Sequence, residues 1–397
     1  RSVMAYVFED KAACCGCGLC KAACPHQAIT MTPDEEGFCY PVIDAQRCTN
    51  CGACRRICAY GQGPKEKPLA YYAARHQDAD ELARSSSGGV FSAIASFVLE
   101  QGGVVFGAVF NENWFVIHTH AETWEELRPM HGSKYIPSNI EAVYPQVETL
   151  LRQGRTVLFT GTPCQVAAVR KWMDMRRVPQ EKLYLMDLVC HSVSSPVLWK
   201  EYLQALYKQY GQKPMMINFR GKKLGWSSRI VSVQLADGRD VTAEWAKQLD
   251  FFKLCSSQCI NRPACYRCPY ANEKRAGDFT GGDFVGIEKL AYQAPVEEGV
   301  SVFTVNTEKA QKLLPRLPLT LMPVTQQQCL QQGMEYAAAA PKGRDAFWAL
   351  YREKGFDAVV QKYGKLTLEK KLIYHVIVPV CKKLGIYQLA AKIYLKK

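Results

Sequence analysis

Between residues 67 and 330, apolar residues occur in short runs whose spacing separates strands from helices. Runs that are continuous or alternate predict buried strands, and they lie at 104–110, 115–120, 156–160, 183–189 and 300–305. Apolar residues recur at helical spacing over 90–99 and from Pro163, a favourable first helical residue, to about Met173. Strands that alternate with helices indicate an α/β domain with a parallel sheet.

Short polar signals between these runs predict where some elements begin and turn. Thr123 and Glu126 have the spacing of a capping box, and Thr307 is expected to cap a helix after the last strand. Asp237-Gly238 is a strong type I′ turn signal. We therefore expect a small antiparallel hairpin formed by segments 230–235 and 240–245.

The first sixty residues follow a different pattern, which is set by cysteine. Two runs have the spacing C-x2-C-x2-C-x3-C, namely Cys14, Cys17, Cys20 and Cys24, and Cys48, Cys51, Cys54 and Cys58. This is the bacterial ferredoxin pattern for two 4Fe-4S clusters, in which the fourth cysteine of a run binds the other cluster. We therefore expect one cluster on a first cysteine set, Cys14, Cys17, Cys20 and Cys58. A second cysteine set, Cys24, Cys48, Cys51 and Cys54, is expected to bind the other.

Zinc knuckles or a disulfide scaffold are the alternative interpretations of these runs. Structural zinc usually takes two separated CxxC pairs, and disulfides need an oxidising compartment. Nothing at the N-terminus resembles a signal peptide. Ala59 follows Cys58 where the ferredoxin pattern usually has proline, but that position shapes a turn and does not bind iron. Cys15 and Cys39 lie outside the spacing and are expected to be spare thiols.

Composition and charge narrow the class of protein. The 397 residues include 18 cysteines and 48% hydrophobic residues, which favours a reducing cytoplasm in which thiolates bind metal. The formal net charge is +13, yet residues 1–66 are balanced and residues 361–397 hold nine lysines against one acid, Glu369. Since over half of the excess belongs to this tail, we expect no nucleic-acid partner. The mildly basic body suits acidic electron carriers or a diphosphate.

Residues 331–397 depart from the α/β pattern and are expected to form a basic helical tail, with helices at 370–381 and 388–397. The longest apolar run, 372–381, is too short to span a bilayer and contains His375 and Pro379. Basic and apolar residues together are typical of a helix at a membrane surface. Packing on the body or on a second copy of the chain, in a homo-oligomer, is the alternative.

Two glycine-containing segments precede expected helices or turns and could approach an anion. Ser87-Gly88-Gly89 leads into the helix at 90–99, where free N–H groups suit a phosphate. An ordinary serine N-cap explains the same pattern. Gly132-Ser133-Lys134 is a glycine turn with a lysine that could bind an anion or lie solvated at the surface.

Cysteines also fall at the expected ends of two buried strands. Cys164 lies at the start of the helix that begins at Pro163, where the helix dipole favours a thiolate. Cys190 and His191 follow the strand at 183–189. Because sites assemble at the C-terminal ends of parallel strands, these cysteines are unlikely to be core fillers alone.

Four further cysteines occur within fourteen residues: Cys255, Cys259, Cys265 and Cys268. Cys265 and Cys268 form a CxxC pair that would complete four thiolates with Cys164 and Cys190, enough for a third 4Fe-4S cluster. Zinc on the four clustered cysteines and a redox dithiol are alternatives that the spacing leaves open.

Several separate motifs occur in one order along the chain. They are Ser87-Gly88-Gly89-Val90, Gly132-Ser133-Lys134-Tyr135, Gly161-Thr162-Pro163-Cys164-Gln165, Asp187-Leu188-Val189-Cys190-His191, the CxxC pair, and Gly281-Gly282-Asp283. Together they resemble the beta subunit of the coenzyme F420 hydrogenase/dehydrogenase family, including its bacterial members. The resemblance covers roughly residues 67–330, with the ferredoxin domain fused in front.

The resemblance implies an FAD-containing α/β domain with a third 4Fe-4S cluster. Its ligands would be a third cysteine set, Cys164, Cys190, Cys265 and Cys268, and Cys259 is near enough in sequence to compete. Flavin contacts are implied at Ser87, Gly88, Gly89, Ser133, Lys134, Gly281, Gly282 and Asp283. His191 is a candidate to supply a proton near the flavin, or to hydrogen-bond cluster sulfur.

These expectations describe an α+β ferredoxin-like iron–sulfur module (1–66), an α/β flavin domain with a small antiparallel hairpin (67–330), and a helical C-terminal tail (331–397). Clusters pass single electrons and a flavin can deliver two. We therefore expect a cytoplasmic oxidoreductase that connects ferredoxin or another redox carrier with a two-electron substrate. F420 is one candidate substrate, and an electron-transfer subunit that serves a separate catalytic partner is the alternative.

Overall fold

The computed structural model describes residues 7–64, 66–222, 226, 231–364, 372 and 376–384. The chain divides into two compact units. The first comprises Arg1–Lys200, Asn218–Ser228 and Ile260–Ala340, and the second comprises Glu201–Ile217, Arg229–Cys259 and Pro341–Lys397. The three domains expected from the sequence, with bounds at residues 66 and 330, stay a prediction.

Twelve strands lie in the described part of the chain. They are β1 Ile29–Pro33, β2 Cys39–Ile43, β3 Ala70–His76, β4 Val104–Phe110, β5 Val116–Ala121, β6 Val157–Gly161, β7 Leu183–Leu188, β8 Pro214–Asn218, β9 Ser232–Leu235, β10 Phe279–Asp283, β11 Ser301–Val305 and β12 Leu319–Pro323. The strands expected at 104–110, 115–120, 156–160, 183–189 and 300–305 are confirmed to within one residue at each end. No strands were predicted at the positions of β1, β2, β3, β8, β10 and β12.

The α-helices of the same residues vary from one turn to four. They are α1 Leu19–Ala22, α2 Ala53–Ile57, α3 Ala79–Arg84, α4 Val90–Glu100, α5 Trp124–Leu127, α6 Val143–Arg152, α7 Pro163–Met175, α8 Pro196–Tyr210, α9 Thr242–Gln248, α10 Phe251–Ser256, α11 Glu308–Leu313, α12 Gln326–Cys329, α13 Arg344–Val359 and α14 Val378–Lys383. The capping box of Thr123 and Glu126 is present at α5, and the Thr307 hydroxyl caps α11 by accepting from the Ala310 N–H.

One mixed sheet of eight strands organises the first unit, in the order β12-β3-β11-β10-β7-β6-β4-β5. The central strands β10, β7, β6 and β4 are parallel, whereas the pairs outside them are antiparallel. The expected parallel sheet is therefore confirmed only for the centre. The C-terminal ends of β6 and β7 lie side by side, since Gly161 pairs with Asp187, and this brings the segments that carry Cys164 and Cys190 to one edge.

Alternate residues of the central strands pack into two hydrophobic clusters. Val104 and Phe106 of β4 belong to one cluster, with residues of α6 and α7. Val105 and Val109 belong to the other, with residues of α4 and α11. Because successive side chains of a strand point to opposite faces, helices cover both faces of the sheet. The first cluster also contains Leu19, Ile57 and Ala59 of the ferredoxin segment, so this segment shares the core of the sheet.

The two cysteine runs of the ferredoxin segment share one backbone feature, a left-handed glycine before a short helix. Gly18 and Gly52 each precede a short helix and adopt left-handed conformations, with φ of 75° and 70°. Glycine takes this conformation without steric cost, and it places the next cysteine of each run, Cys20 or Cys54, on the first turn of α1 or α2. β1 and β2 pair antiparallel beside them.

The expected strand at 240–245 is wrong, because residues Thr242–Gln248 form helix α9. The turn itself forms, since Gly238 has a φ of 86° and the Leu235 N–H bonds to the Arg239 carbonyl at 2.9 Å. An Asp240 carboxylate oxygen then accepts the Thr242 N–H at 3.1 Å. This local bond starts the helix in place of a second strand, and β9 joins β8 in a two-stranded sheet.

Part of the basic tail can be described. Helix α14 lies within the expected helix at 370–381 for most of its length, and the expected helix at 388–397 lies outside the described residues. In the part of the chain that the structure describes, no helix combines the length and the apolarity needed to cross a bilayer.

A buried ion pair connects the central strands to the loop that carries Cys265 and Cys268. Arg275 and Asp187 have side chains that are 0% exposed, and their atoms Nη2 and Oδ1 are 2.8 Å apart. The other Asp187 oxygen accepts the N–H groups of Ala276 and Gly277 at 2.9 and 2.7 Å. Arg275 also donates to the carbonyls of Leu188 and Gly333. The pair therefore fixes the end of β7 against the loop that precedes β10.

We expect the substitution Asp187→Asn to lower the free energy of unfolding by about 3 to 5 kcal/mol, because it leaves a buried guanidinium without its counter-charge. Guanidinium-chloride unfolding followed by tryptophan fluorescence measures the change. Asp237→Asn removes the carboxylate of an exposed pair with Arg239 and should have a far smaller effect, because water screens exposed pairs. Equal effects of the two substitutions would contradict this account of the buried pair.

Candidate iron–sulfur and flavin sites

The structure brings the two cysteine runs together in the crossed arrangement expected from their spacing. Burial raises the pKa of Cys20, and the charges of Cys17, Cys14 and Cys58 raise it further, so Cys20 lies among the other thiols of the first cysteine set. The second set lines one small cavity, with Cys24 from the first run and Cys48, Cys51 and Cys54 from the second. The arrangement suits two cubanes, and the ligand assignment stays a prediction.

The third cysteine set also converges, at the C-terminal edge of the parallel strands. Cys164 is the second residue of α7 and follows β6, and Cys190 comes two residues after β7. Cys265 lies in a 3-10 helix, Pro263–Arg267, and Cys268 follows it. Cys190 experiences the charges of Cys265, Cys164 and Cys268. Three segments distant in sequence thus supply one group of four thiols.

Burial and mutual repulsion make several thiols of the first and third sets difficult to ionise on their own. Burial first, and then neighbouring thiolates, raise the pKa of Cys58 to about 11 and that of Cys265 to about 12. Burial likewise raises the pKa of Cys268 to about 11. Iron binds the thiolate and not the thiol. Such a set is therefore suited to a positively charged metal centre, which would compensate several thiolates at once.

Among residues 7–64, 66–222, 226, 231–364, 372 and 376–384, no three His, Cys, Asp or Glu side chains are close enough to hold one metal ion. A cubane of four irons and four sulfides is larger than an ion, so its thiolates stand further apart. The thiols whose charges act on Cys265 are Cys164 and Cys268.

Cys15, expected to be a spare thiol, lies between the first and third sets. It is hydrogen-bonded to Cys17 and to Cys164, and these bonds together with burial raise its pKa well above the ordinary value. Cys15 thus keeps its proton and donates, and its hydrogen bond lowers the pKa of Cys164 to about 7. Its position was hidden in the sequence because the contact spans about 150 residues.

The three sets therefore follow one another through the first unit. Cys54 of the second set acts on Cys58 of the first, and Cys15 links Cys17 of the first to Cys164 of the third. At the outer end Cys51 is exposed, while Cys20 is buried. An electron carrier could reach the second set most directly.

Arg262 is a buried cation between the first and third sets. It is 2% exposed, and its Nε and Nη2 atoms donate to the carbonyls of Cys14 and Cys39, each at 2.8 Å. Nη2 lies 3.8 Å from Cys14 Sγ. Burial by itself lowers the pKa of Arg262, but one phenol and three thiols raise it above its usual value; they are Tyr40, Cys14, Cys15 and Cys265. A buried charge needs compensation, which an anionic cluster can provide.

Tyrosine hydroxyls hold the ferredoxin segment against the sheet domain near these sets. Tyr60 donates to the Ala264 carbonyl, and Tyr270 donates to the Ala59 carbonyl, each at 2.7 Å. Tyr144 donates to the Cys17 carbonyl at 2.8 Å. These three bonds cross the boundary expected at residue 66 and fix the backbone on both sides of the first set.

The glycines expected to contact flavin are explained largely by close packing. A Cβ on Gly88 would lie 2.2 Å from the Ala74 carbonyl oxygen, and one on Gly282 would lie 2.6 Å from Val189 Cβ. Gly281 is equally confined by Met186 and Val90. Gly89, with a φ of 85°, is the N-cap of α4 and has no side-chain cap, so no serine caps that helix. These glycines allow neighbouring protein atoms to pack closely against the backbone. Their contact with flavin stays a prediction.

The polar residues of the same prediction already have protein partners. Lys134 Nζ lies within hydrogen-bond distance of four backbone carbonyl oxygens, among them those of Pro129 and His131, both at 3.0 Å, and burial lowers its pKa to about 7. The Ser87 hydroxyl donates to the Val300 carbonyl at 3.0 Å, and the Ser133 N–H donates to the Ser86 hydroxyl at 2.7 Å. In this conformation Lys134 stabilises a turn and does not present its ammonium to an anion.

Arg220, which sequence reasoning missed, gives the best indication of a polar ligand near these residues. Its side chain is 8% exposed and forms a 2.7 Å ion pair with Asp283. Its Nε atom and the Trp226 Nε1 atom are buried without a hydrogen-bond partner among the described residues. Lys222 lies close by, and burial lowers its pKa to about 8, but its Nζ donates to the carbonyls of Leu82, Ser87 and Glu298. The unsatisfied Arg220 donor is therefore the group that could face an anionic ligand.

Two further candidates from the sequence are His191, as a proton donor, and Cys259, as a competing cluster ligand. His191 is exposed and directly follows Cys190. Cys259 belongs to the second compact unit, where its thiol is buried and lies 3.5 Å from the Ser257 carbonyl oxygen. Neither the proton-donating role of His191 nor the competing-ligand role of Cys259 is tested by these positions, and both stay predictions.

Comparison with protein families gives three matches. Residues 13–62 match a 4Fe-4S dicluster domain. The other two matches are to the coenzyme F420 hydrogenase/dehydrogenase beta subunit: residues 71–144 match its N-terminal domain, and residues 154–318 match its C terminus. These two matches together span more than half of the chain.

Among curated relatives, the F component of the F(420)H(2) dehydrogenase of Methanosarcina mazei is 28% identical over 198 residues, 45% of this chain and 53% of the relative. The beta subunit of the coenzyme F420 hydrogenase of Methanosarcina barkeri is 28% identical over 136 residues, 31% of this chain and 45% of the relative. The chain therefore spans about half the length of the curated relatives it matches.

Among solved structures, a chain of the xenon-derivatised F420-reducing NiFe hydrogenase complex from Methanosarcina barkeri superposes with a TM-score of 0.46 and 20% sequence identity. The match covers 75% of this chain and 91% of that chain. At this TM-score the superposition carries no argument about fold or function.

We expect Arg262→Gln to lower the reduction potential of the cluster on the first cysteine set, because the buried positive charge favours the more negative, reduced state. A tenfold fall in the reduced-to-oxidised ratio at fixed potential corresponds to about 59 mV for one electron. Redox titration monitored by electron paramagnetic resonance gives the potential.

Two comparisons make the Arg262 measurement specific. The cluster on the second set should keep its potential, and Arg262→Lys should restore part of the shift. Arg239→Gln, at an exposed arginine of the second unit, should leave all potentials unchanged. An unaltered first-set potential in Arg262→Gln would show that the guanidinium does not act on that cluster.

Proposed function

Because the chain belongs to the family of coenzyme F420 hydrogenase/dehydrogenase beta subunits, we propose that it is an iron–sulfur flavoprotein that exchanges electrons between a one-electron carrier and a two-electron substrate. The family is one of oxidoreductases, and this member carries a 4Fe-4S dicluster domain. The observation that carries the proposal is the succession of three cysteine sets within the first unit, linked by Cys54, Cys58, Cys17 and Cys164.

The residues of the third set support a third 4Fe-4S cluster at the edge of the sheet. Cys164 and Cys190 would bind from the ends of two parallel strands, and Cys265 and Cys268 from the loop before β10. The buried Arg275–Asp187 pair holds that loop to β7. The neighbouring thiol of Cys15 donates a hydrogen bond toward Cys164.

FAD is the cofactor we propose for the region beyond the third set. Arg220 would bind its diphosphate, with Lys222, Ser87 and Ser133 nearby, and Asp283 would orient the guanidinium. A bound flavin exchanges single electrons with clusters and a hydride with a substrate. His191 would hold a proton at the exposed side of Cys190, and its alternative role is a hydrogen bond to cluster sulfur.

For the substrate, we propose F420 or another acceptor that takes two electrons. Both curated relatives are named for F420 chemistry, which supports this class. Ferredoxin or a similar acidic carrier is the proposed one-electron partner, because exposed Arg47, Arg55 and Arg56 lie close to the second set. Direction of electron flow follows from the potentials of the carrier and the substrate.

A second function is that of an electron-transfer subunit serving a separate catalytic partner. The names of both curated relatives describe subunits, and the chain spans about half their length. In this case the three cysteine sets would have the same roles, and the substrate would bind to another protein.

We expect the anaerobically reconstituted protein to contain about twelve iron atoms, from three cubanes, and one FAD per chain. Cys190→Ser should lower the iron content to about eight and leave the ferredoxin clusters intact. Cys39→Ser, which alters an exposed thiol outside the three sets, is the matched control and should retain all the iron. About eight irons in the unsubstituted protein, with or without zinc, would remove the third cluster from the proposal.

Arg220→Gln tests the proposed flavin site independently of the iron sites, in protein reconstituted in the same way. It should retain about twelve irons but lose most of the flavin, because the buried cation that faces the diphosphate is removed. Arg239→Gln is the matched exposed control. Full flavin occupancy in Arg220→Gln would place the cofactor elsewhere.

A turnover measurement distinguishes an enzyme that acts alone from an electron-transfer subunit. Given dithionite or reduced ferredoxin, the purified protein should reduce F420 or a simple two-electron acceptor without any other protein. His191→Asn should keep the flavin spectrum and lower kcat by about 10² to 10⁴-fold, the range for loss of an acid–base group. Full incorporation of iron and flavin without turnover would favour the second function, that of an electron-transfer subunit. An unchanged kcat in His191→Asn would exclude His191 from proton transfer.

A further inference from the structure

A group of apolar side chains is exposed around helix α14 in the C-terminal tail. Within residues 372–384, five large apolar side chains are between 42 and 65% exposed, and we call them the tail face: Leu372, Val376, Ile377, Val380 and Leu384. The ten other exposed large apolar side chains of the described residues are spread over residues 42–336. Single exposed apolar side chains are ordinary, whereas a close group of them marks an interaction surface.

The spacing within the tail face places its side chains on one side of a helix. Val376, Val380 and Leu384 follow one another at intervals of four, and side chains four positions apart lie on the same helix face. The backbone is helical from 376 to 383, and the Leu384 N–H donates to the Val380 carbonyl at 3.0 Å. Cys381 is buried. The helix therefore has a covered side and, separately, an apolar side that is exposed.

The charge around the tail face indicates which kind of surface it binds. Residues 361–397 hold nine lysines and a single acid, Glu369. Lys383 is exposed and lies directly before Leu384. Such a segment is attracted to a surface of dense negative charge. A second copy of the chain would bring nine further lysines against these nine, and this repulsion disfavours self-association through the tail face.

A lipid surface suits both the apolar and the basic character of the tail. At 1.5 Å per residue, the stretch 376–384 would be about 14 Å long as a helix, far shorter than the roughly 30 Å hydrocarbon core of a bilayer. A short amphipathic helix instead lies in the plane of the interface, with its apolar side chains at the boundary of the acyl chains. Lysine side chains are long enough to reach the headgroup phosphates from such a position.

We propose that the tail face binds the surface of a membrane that contains anionic phospholipid, with Val376, Val380 and Leu384 inserted among the headgroups and the tail lysines close to lipid phosphates. None of these residues belongs to the three cysteine sets or to the proposed flavin site, so the inference does not depend on the proposed function. The association is peripheral and reversible, and it weakens as salt screens the lysines.

Vesicle flotation of the full-length reconstituted protein tests the proposal. One set of vesicles contains phosphatidylcholine alone, and the other contains phosphatidylcholine mixed with phosphatidylglycerol. We expect the protein to float with the mixed vesicles at low salt and to stay unbound with phosphatidylcholine alone. It should leave the mixed vesicles at about 1 M salt, where the Debye length falls to about 3 Å.

Point variants connect the binding to the tail face. Leu384→Asp alters an exposed side chain and should lower the partition coefficient on mixed vesicles at least about tenfold, since full burial of a leucine is worth more than that factor. Leu69→Asp, the same change at an exposed leucine of the first unit, is the matched control and should float like the unsubstituted protein. Lys383→Gln should weaken binding about fivefold, the factor for one lysine beside an anionic surface.

Absence of flotation with the mixed vesicles would overturn the inference, and so would equal flotation of Leu384→Asp and the unsubstituted protein. Equal binding to both kinds of vesicle would overturn the role of anionic lipid. Analytical ultracentrifugation covers the other occupant, because a dimer that Leu384→Asp abolishes, in protein that does not bind vesicles, would assign the tail face to a second copy of the chain. Iron content, flavin content and turnover are measured on the same preparations, so failure of the proposed function is recognised separately.

Discussion

Ionisation of crowded, buried thiols is the constraint on which the arrangement of this protein depends. Burial and neighbouring sulfur raise the pKa of Cys58 and Cys268 to about 11, far above neutral pH. Such groups become thiolates together only where positive charge compensates them. Iron would supply most of it, and buried Arg262 lies where two sets share a border. The sheet, the capped helix α7 and the Arg275–Asp187 pair can be understood as the framework that keeps these sulfurs converged.

Features that depend on local spacing could be predicted from the sequence. The 4Fe-4S dicluster domain was recognisable from the cysteine intervals, and the central strands from apolar runs such as 156–160 and 183–189. The position of Cys164 followed as well, because a strand, a turn and Pro163 define where α7 begins. In each case the determining contacts lie within a few residues, so period and turn chemistry were sufficient.

Features that depend on distant contacts could not be predicted. The glycine-rich segment of β10 becomes a central strand because β7 and β11 confine it, although glycine disfavours strands. The helix at Thr242–Gln248 is an exception, because the bond that Asp240 accepts from the Thr242 N–H is local and the sequence pattern still favoured a strand there. Lys134 looked available for an anion until four carbonyls surrounded its ammonium. Cys15, Arg262 and Arg220 each depend on a partner more than sixty positions away, namely Cys164, Cys14 and Asp283.

The hydrophobic core that Leu19, Ile57 and Ala59 share with the central strands has a kinetic consequence. A ferredoxin that diffuses to its partner passes electrons only during the fraction of time that it is bound, so its rate depends on concentration and salt. In this protein the segments that carry the first and third sets come together once, when the chain folds. Packed side chains then fix the separation between the two sets. Transfer between these two centres would then be independent of protein concentration, and only the outermost exchange with a carrier would retain the character of a collision.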